Sequence, residues 1–552
     1  MESLICIIMI FPYRFLLAAK PARGAEYKHH RTHESPWIIG DKGAFMSDNS
    51  IFDTYHTFDS IFDIYPDKIQ TGAVYGYRQS DGTLLEFPCT LDVSRAVKDE
   101  KGRWTASGLG LKPAFVKYSD SLKRQDVTAA WIGNGFAESK KVKWSPTNNT
   151  IDEVRFLDDV TSIGDKAFKF YNGLIGITIP NSVSEIGNEA FFGCANLNEI
   201  VIPDSVISIG YCAFMHCQEL RKITLSLNIT SIRWSTFYNC KSLTEISIPD
   251  GVTSIGSEAF AGCYGLNGIN FPDNVTEIGY SAFSYCTGLT SVSIPDSVTS
   301  IGKYAFYKCK SLVNVSIPNV LPEIKEGVFY GCTNLKNITI PFSVTEIGDS
   351  AFAGTGLTSV MISENVTIIG NRTFQDCTSL TGITIPKGVT TIGSGAFENC
   401  TSLTSITIPE GVTEIGSSTF WNCTSLTSIT IPSSVTEIGS WAFCHCEGLT
   451  SVKIPNGVTL IGHATFWDCT NLIDVTIPDS VTEIKIQAFN GCENLKNITI
   501  PSSVTSIAKE AFEGCRSLTD IYVNQPESSL FDNTRLPDYC IVHYLVSDNS
   551  PA

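Results

Sequence analysis

Over the last two-thirds of the chain, apolar and polar residues recur in the same order every 23 residues. Counted from a proline, the pattern is P-x-x-V-T-x-I-G-x-x-A-F-x-x-C-x-x-L-T-x-I-T-I, and residues 386–408 follow it throughout. Every step is 23 residues except that from Pro341 to Ser363, which is 22 because the segment 351–357 is shorter. The sixteen repeats, numbered 1 to 16 below, begin at Leu157, Pro180, Pro203, Ser226, Pro249, Pro272, Pro295, Pro318, Pro341, Ser363, Pro386, Pro409, Pro432, Pro455, Pro478 and Pro501.

The apolar positions of the repeat predict a shared core. Position 7 is isoleucine and position 12 is phenylalanine in all sixteen repeats, and positions 4, 11, 15, 18, 21 and 23 are also mostly apolar. A single 23-residue unit has too little apolar surface to offset its chain entropy, whereas stacked units form continuous buried columns. The predicted core of repeat 12 consists of Ile415, Phe420, Cys423, Leu426, Ile429 and Ile431.

The alternation within each repeat predicts its local structure. Positions 18–23 alternate β-branched and apolar residues and end at proline, which favours a strand with positions 21 and 23 inward and positions 20 and 22 outward. Positions 4–7 form a second short extended piece, which leads to a glycine at position 8 in twelve repeats, where we expect a strained φ. Positions 9–15 suit one helical or 3-10 turn. The prediction is a right-handed β-rich solenoid over residues 157–523.

Position 15 is cysteine in fourteen repeats, and the chain has 19 cysteines in all. Stacked residues lie about 4.8 Å apart with parallel Cβ atoms, whereas a disulfide needs converging Cβ atoms and zinc needs ligands from several directions. We therefore interpret these cysteines as small buried residues with weak S–H donors. Cys444-His445-Cys446 is the one sequence that hints at a metal, but Cys446 is the inward residue, so we expect no metal and no cofactor.

The aligned pattern L-x-x-I-x-I-P-x-x-V-T-x-I-G-x-x-A-F-x-x-C resembles the BspA-like leucine-rich repeats, over residues 157–523. It departs from the ordinary leucine-rich pattern, because the place of that pattern's asparagine is here position 3, usually serine, asparagine or glycine. The resemblance implies a cell-surface or secreted protein of host-associated microbes, often an adhesin for matrix proteins or other cells. It offers no catalytic residues to carry over.

Charge and composition narrow the range of functions. The formal net charge of −17 argues against a nucleic-acid partner, because no basic stripe would neutralise phosphates. The eight histidines are scattered, and no nucleophile, metalloprotease or phosphate-binding motif is present. We therefore expect a non-catalytic binding protein, and the sequence leaves its oligomeric state open.

Two rows of the repeat are candidate binding surfaces. The outward row at position 22 is mostly threonine or serine and is interrupted by Asn270, Met361, Lys453 and Tyr522. This row fits strand propensity and solubility, a hydroxyl-lined surface for a protein or glycan or, least well, an ice-binding array. Position 13 holds large residues beside the buried phenylalanine, and they either roof the core or form interaction hot spots. They are Phe192, Met215, Tyr238, Tyr307, Tyr330, Trp421 and Trp467, with Trp441 nearby at position 10.

The flanks are less informative. Residues 1–26 contain an apolar stretch broken by Pro12 and Arg14, which fits either a signal peptide or an N-terminal extension. Residues 27–156 predict a β-rich N-terminal cap domain, and residues 524–552 a C-terminal cap with a last strand at 540–542. A protein or glycan on a host or neighbouring cell is the expected partner. The alternative is a structural scaffold for protein–protein interaction, possibly intracellular.

Overall fold

Each repeat except repeat 10 contributes two short strands that stack in parallel on those of its neighbours. The computed structural model describes residues 161–526, 529–531 and 534–544, together with the backbone of eight strands between residues 75 and 156. The predictions for residues 1–26, and most of those for 27–156, lie outside the described residues.

The first strand of a repeat covers positions 6 and 7, inside the segment predicted at positions 4–7. Identical positions pair, as in Ile186 with Ile209, so that one isoleucine lies over the next. These strands are Ser162–Ile163, Glu185–Ile186, Ser208–Ile209, Ser231–Ile232, Ser254–Ile255, Glu277–Ile278, Ser300–Ile301, Glu323–Ile324, Glu346–Ile347, Ile368–Ile369, Thr391–Ile392, Glu414–Ile415, Glu437–Ile438, Leu460–Ile461, Glu483–Ile484 and Ser506–Ile507.

The second strand covers positions 20–22 and shows the predicted alternation, with Ile200 and Ile202 each 2% exposed and Val201 between them 62% exposed. In repeat 10 only an isolated bridge from Gly382 to Ser405 remains. These strands are Gly176–Thr178, Glu199–Val201, Lys222–Thr224, Glu245–Ile246, Gly268–Asn270, Ser291–Ser293, Asn314–Ser316, Asn337–Thr339, Ser359–Met361, Ser405–Thr407, Ser428–Thr430, Ser451–Lys453, Asp474–Thr476, Asn497–Ile500 and Asp520–Val523.

The core is one continuous set of columns along the stack, which confirms the predicted solenoid. All sixteen phenylalanines of position 12 are buried, and consecutive rings lie 5.1–5.7 Å apart at interplanar angles of 2–18°. In repeat 12, Ile415, Phe420, Cys423 and Leu426 are buried as predicted. The predicted core residues Ile429 and Ile431 are only half-buried and pack against the core from its margin.

The cysteines of position 15, which we call the ladder cysteines, are buried thiols, as predicted. The structure also shows which atom accepts a hydrogen bond from each of them. In each of the fourteen repeats, the Sγ–H donates to the carbonyl oxygen of the phenylalanine in the preceding repeat, over 3.0–3.2 Å. That carbonyl also accepts the N–H three residues on, as in Cys194 N to Phe191 O at 3.1 Å. The thiol therefore supplies a second donor to a buried acceptor.

The glycine of position 8 does not have the strained φ that we expected. Positive φ angles within the described residues occur only at positions 10 and 14 of the repeat. The reason for glycine is close approach: a Cβ on Gly302 would lie 2.4 Å from backbone atoms of Gly279 and Tyr280 in the preceding repeat. Four repeats nevertheless carry a side chain there, namely Arg233, Lys325, Lys485 and Ala508, so the backbone can adjust.

The helical or 3-10 turn predicted for positions 9–15 is also wrong. These residues form successive hydrogen-bonded turns, in which the N–H of positions 11, 13 and 15 donates to the carbonyl three residues earlier. A right-handed helix cannot include the positive φ at positions 10 and 14, such as 54° at Cys212 and 63° at His216.

The short repeat keeps its register. Its strands pair with their neighbours at the usual positions, with Asn337 opposite Ser359. Thr355 occupies the cysteine position and donates its hydroxyl to Phe352 O at 2.7 Å. The missing residue is lost in the turn beside Gly356, where a Cβ would lie 2.1 Å from Thr333 O.

The flanks contain further strands. The eight between residues 75 and 156 include an antiparallel hairpin, Tyr75–Arg78 with Leu84–Phe87, and a four-stranded mixed sheet. The others are Val97–Lys98, Trp104–Thr105, Lys112–Tyr118, Asp126–Ile132, Gly135–Lys143 and Ile151–Phe156. That they cap the solenoid stays a prediction.

After repeat 16, a 3-10 helix at Ser529–Phe531 leads to a last strand, Ile541–Tyr544. This strand pairs in parallel with Asp520–Val523 and includes two residues of the strand predicted at 540–542. It continues the sheet by one further strand.

Candidate binding surface

The six positions 9–14 of each repeat form a surface that we call the turn edge. The backbone N–H groups of positions 10, 12 and 14 donate to carbonyls of the next repeat, so those residues are held in register along the stack. In repeat 3, Cys212, Phe214 and His216 donate to Trp234, Thr236 and Tyr238 at 3.0, 2.9 and 2.8 Å. The phenylalanine of position 12 points into the core, and positions 13 and 14 lie at its outer margin.

The predicted position-13 residues lie on this edge, where the structure groups them in three clusters with residues that sequence reasoning missed. The first, the phenylalanine–histidine cluster, is a zigzag of Phe170, Phe192, His216 and Tyr238, with ring centroids 5.2–5.6 Å apart. The Lys169 Nζ lies 4.7 Å from the Phe192 ring centroid. Burial lowers the pKa of His216, and Lys241 adds to the effect.

The second group, the tyrosine cluster, consists of Tyr280, Tyr285, Tyr304, Tyr307 and Tyr330. Tyr307 is its centre, with ring centroids 5.3, 5.7 and 5.1 Å from Tyr285, Tyr304 and Tyr330. Lys308 Nζ lies 4.9 Å from the Tyr307 centroid, and the side-chain hydrogen bond to Tyr307 raises the pKa of Lys308.

The ionisable groups of the tyrosine cluster are already paired within it. Lys303 contacts Glu326 at 2.9 Å, and the Tyr304 hydroxyl donates to the same carboxylate. Burial is the main reason that the pKa of Tyr304 is raised, and the Tyr304 hydrogen bond helps to lower that of Glu326.

The third group, the tryptophan cluster, consists of Trp421, His445 and Trp467. The His445 ring lies between the two indoles, at centroid distances of 6.1 and 5.4 Å, and its Nδ1 is 3.5 Å from Asp468 Oδ2. The side chain of Trp421 also hydrogen-bonds Cys444, whose pKa burial raises to about 12.

Trp441 lies on the same edge at position 10, where it is 39% exposed and meets the His463 ring edge-on at 4.8 Å. The sequence Cys444-His445-Cys446 does not converge on one point, because Cys446 donates to Phe420 O in the core while His445 lies between the indoles. Among the residues that the structure describes, no group of three or more histidine, cysteine or acidic side chains is placed to hold a metal ion.

The outward strand positions 20 and 22 form the second candidate surface, the strand face. Asn270, Lys453 and Tyr522 are exposed there, but they belong to repeats 5, 13 and 16 and do not form one site. Tyr522 instead stacks on His543 of the last strand, with centroids 5.0 Å apart.

The hydroxyl rows of the solenoid differ in what they bind. Threonines at positions 5 and 19 donate to a carbonyl of the preceding repeat, as Thr276 does to Thr253 O at 3.1 Å and Thr404 to Thr381 O at 3.2 Å. The threonines at position 22, such as Thr407 and Thr430, are exposed. The first two rows therefore serve the fold, while the strand face remains open to solvent.

A stack of parallel strands around a column of leucine, isoleucine and phenylalanine defines a leucine-rich repeat solenoid, a fold that is typically a non-enzymatic scaffold for protein–protein interaction. Residues 147–267, 253–381, 367–496 and 459–539 match the family described as BspA type Leucine rich repeat region (6 copies). The chain belongs to this family.

Three solved structures are similar to this chain. A leucine-rich repeat protein from Bacteroides ovatus is 28% identical, with a TM-score of 0.55, and the alignment covers 88% of this chain and 100% of that one. A leucine rich cell surface protein from Faecalibacterium prausnitzii is 24% identical, with a TM-score of 0.35 and coverage of 84% and 96%. A leucine-rich repeat protein from Eubacterium ventriosum is 22% identical, with a TM-score of 0.39 and coverage of 67% and 91%.

No curated protein matches the chain. Within the described part of the chain, no helix has the length and apolar character needed to cross a membrane.

Proposed function

We propose that this protein is a non-catalytic adhesin, secreted or held at a cell surface, that binds a protein of a host or neighbouring cell through its turn edge. The observation that carries the proposal is the concentration of half-exposed aromatic side chains at positions 9–14, beside an otherwise uniform core. Rigid aromatic side chains that are partly exposed and already ordered by their neighbours are typical of interaction hot spots.

The strand face supports this function less well. Its outward residues are small and polar over repeats 11 and 12, with Ser405, Thr407, Ser428 and Thr430 in sequence. Such residues contribute little apolar area to a protein interface, and threonine and serine are uncommon among binding hot spots.

The test is a binding screen of the immobilised full chain against matrix proteins and glycans. Two edge variants, Trp421→Ala with Trp467→Ala and Tyr307→Ala with Tyr330→Ala, are compared with a strand-face control, Thr407→Ala with Thr430→Ala. We expect saturable binding to a protein that at least one edge variant weakens by about 2 kcal/mol or more. Loss of binding in the control alone, or binding to glycans alone, contradicts the proposal.

Location is tested separately by fractionating native cells and sequencing the N-terminus of the protein recovered. Recovery outside the cell or at its surface supports the adhesin. Recovery only in the cytosol overturns it in favour of an intracellular scaffold.

A further inference from the structure

The tryptophan cluster lies in a part of the solenoid that carries few positive charges. Repeats 12–14, residues 409–477, contain six carboxylates and one lysine, whereas repeats 6–8, residues 272–340, contain five of each. The single lysine, Lys453, is at position 22 on the strand face and not on the turn edge. The two clusters on the same edge therefore present aromatic rings in different electrostatic surroundings.

A partly desolvated carboxylate adjoins His445, the ring that lies between the two indoles. Asp468 is at position 14, and its side chain is 36% exposed and 3.5 Å from His445. Burial is the main cause that raises the pKa of Asp468, and Glu447 and Glu493 act in the same direction while His445 opposes them. Glu493 is itself paired with Arg516 at 3.3 Å. A cation placed at Asp468 would be attracted by a carboxylate that lacks a lysine or arginine partner of its own within the described residues.

The rings add a second attraction for a cation. Indole has the strongest cation–π interaction of the aromatic side chains, and arginine also stacks its planar guanidinium on such rings. The tyrosine cluster already shows this arrangement internally, since Lys308 lies over the rings of Tyr285 and Tyr307. The tryptophan cluster has the rings and the carboxylate but no cationic side chain of that kind among its described neighbours.

We propose that Trp421, Trp467 and Asp468 form a recognition site for an arginine or lysine side chain of a basic segment of the protein partner. This inference rests on the proposed function and specifies which partner the turn edge selects. The guanidinium or ammonium group pairs with Asp468 while its stem packs on the indoles. Charge complementarity with repeats 12–14 directs basic segments here and not to the tyrosine cluster.

The probe for this site is a fluorescent penta-arginine peptide, titrated with the full chain at about 0.15 M salt, the physiological ionic strength. We expect Trp421→Ala with Trp467→Ala, and separately Asp468→Asn, to reduce affinity at least fivefold. The matched charge control is Asp376→Asn, because Asp376 is also at position 14 but its neighbours at position 13 include no tryptophan. The matched aromatic control is Tyr307→Ala with Tyr330→Ala. Both controls should change affinity less than twofold.

Equal losses in Asp376→Asn and Asp468→Asn would show only diffuse attraction to an acidic protein and would overturn the proposal. Unchanged affinity in the tryptophan variant would overturn it too. Circular dichroism and the urea midpoint of each variant establish that the solenoid is intact.

A competition assay separates the two proposals. If a protein ligand binds through the edge but penta-arginine does not displace it and Asp468→Asn has no effect, the basic-segment site is wrong while the adhesin proposal stands. If no protein ligand binds although penta-arginine binding needs the cluster, the adhesin proposal is the one that fails.

Discussion

Phe420 and Trp421 are adjacent in the chain and belong to two regions that follow different rules. Phe420 is fully buried in a column where the same residue recurs sixteen times, and its ring lies parallel to its neighbours at 5.6 and 5.4 Å. Trp421 is half-exposed at a position that also holds lysine, alanine, glutamate, tyrosine and cysteine in other repeats.

The difference shows how this solenoid separates folding from recognition. The core column tolerates one shape, because each ring packs against identical rings above and below. The turn edge is held by backbone hydrogen bonds that any residue can make, so its side chains can vary without loss of register. Variation in the sequence therefore marks the surface available for binding.

The largest expected effect is on stability, and it compares the core residue Phe420 directly with the edge residue Trp421. Phe420→Ala should cost about 3–5 kcal/mol of stability by opening a cavity in the column, whereas Trp421→Ala should cost less than about 1 kcal/mol. Urea denaturation of both variants measures the difference. Equal losses would mean that the edge residue belongs to the core.

Backbone packing provides the next comparison. Gly302→Ala should cost about 1–3 kcal/mol, because its Cβ would lie 2.4 Å from the preceding repeat. Gly331→Asn, at position 14 with φ of 71°, should cost less than about 1 kcal/mol, since asparagine tolerates positive φ and already stands at this position in Asn239, Asn399 and Asn422. Thermal unfolding distinguishes the two, and the reverse order would contradict the close-approach explanation.

The cysteine column should give a smaller effect. Cys423→Ala removes the Sγ–H donor to Phe397 O, 3.2 Å away, and leaves a small cavity, at a cost of about 1–2 kcal/mol. Cys423→Thr should cost less, because threonine fills the volume of cysteine and its hydroxyl can donate within its own repeat, as Thr355 does to Phe352 O, although this does not restore the donor to Phe397 O. Equal losses for alanine and threonine would show that filling the volume has no effect and would assign the loss to the missing donor to Phe397 O.

The last prediction, which involves the smallest effect on stability at neutral pH, concerns the reactivity of the buried thiols. Burial raises the pKa of Cys263 and Cys309 to about 12. Alkylation at about pH 8 should therefore modify the half-buried Cys540 before the ladder thiols, which should stay unmodified until the chain unfolds.

Peptide mapping by mass spectrometry after timed alkylation checks this order. Because the folded thiols have the higher pKa, their contribution to stability is complete below the ordinary thiol pKa of about 8.5 and falls as the pH rises above it. Equal alkylation of Cys540 and the ladder thiols in the native protein would contradict the predicted order of modification.

Much of the fold was predictable because its signals repeat sixteen times. The 23-residue period, the strands, the inward isoleucines and the column of thiols all follow from residue types that recur at the same buried positions of successive repeats. The turns were not predicted correctly, since i to i+3 hydrogen bonds are shared by helices and by the turns seen here. A signal was present: position 14 is glycine, asparagine or aspartate in eleven of sixteen repeats, which are residue types that adopt positive φ.

The candidate site was predictable only in part. Position 13 was singled out from its large residues, and the structure places them at the edge. Their partners at position 14 were missed, because Phe170, Tyr285 and His445 meet position-13 rings of a neighbouring repeat rather than of their own. Such contacts depend on how far one repeat is offset from the next, which the spacing along the chain does not reveal.

The junctions between repeats share one strand register along the stack, which even the 22-residue repeat preserves. A genetic duplication or excision of one whole repeat would therefore create one new junction with the same strand register. It would also move the tyrosine and tryptophan clusters, which begin six repeats apart, by about 4.8 Å relative to each other. The number of repeats thus sets the distance between the tyrosine and tryptophan clusters. Recombination between repeats can change this distance without altering any residue of either cluster.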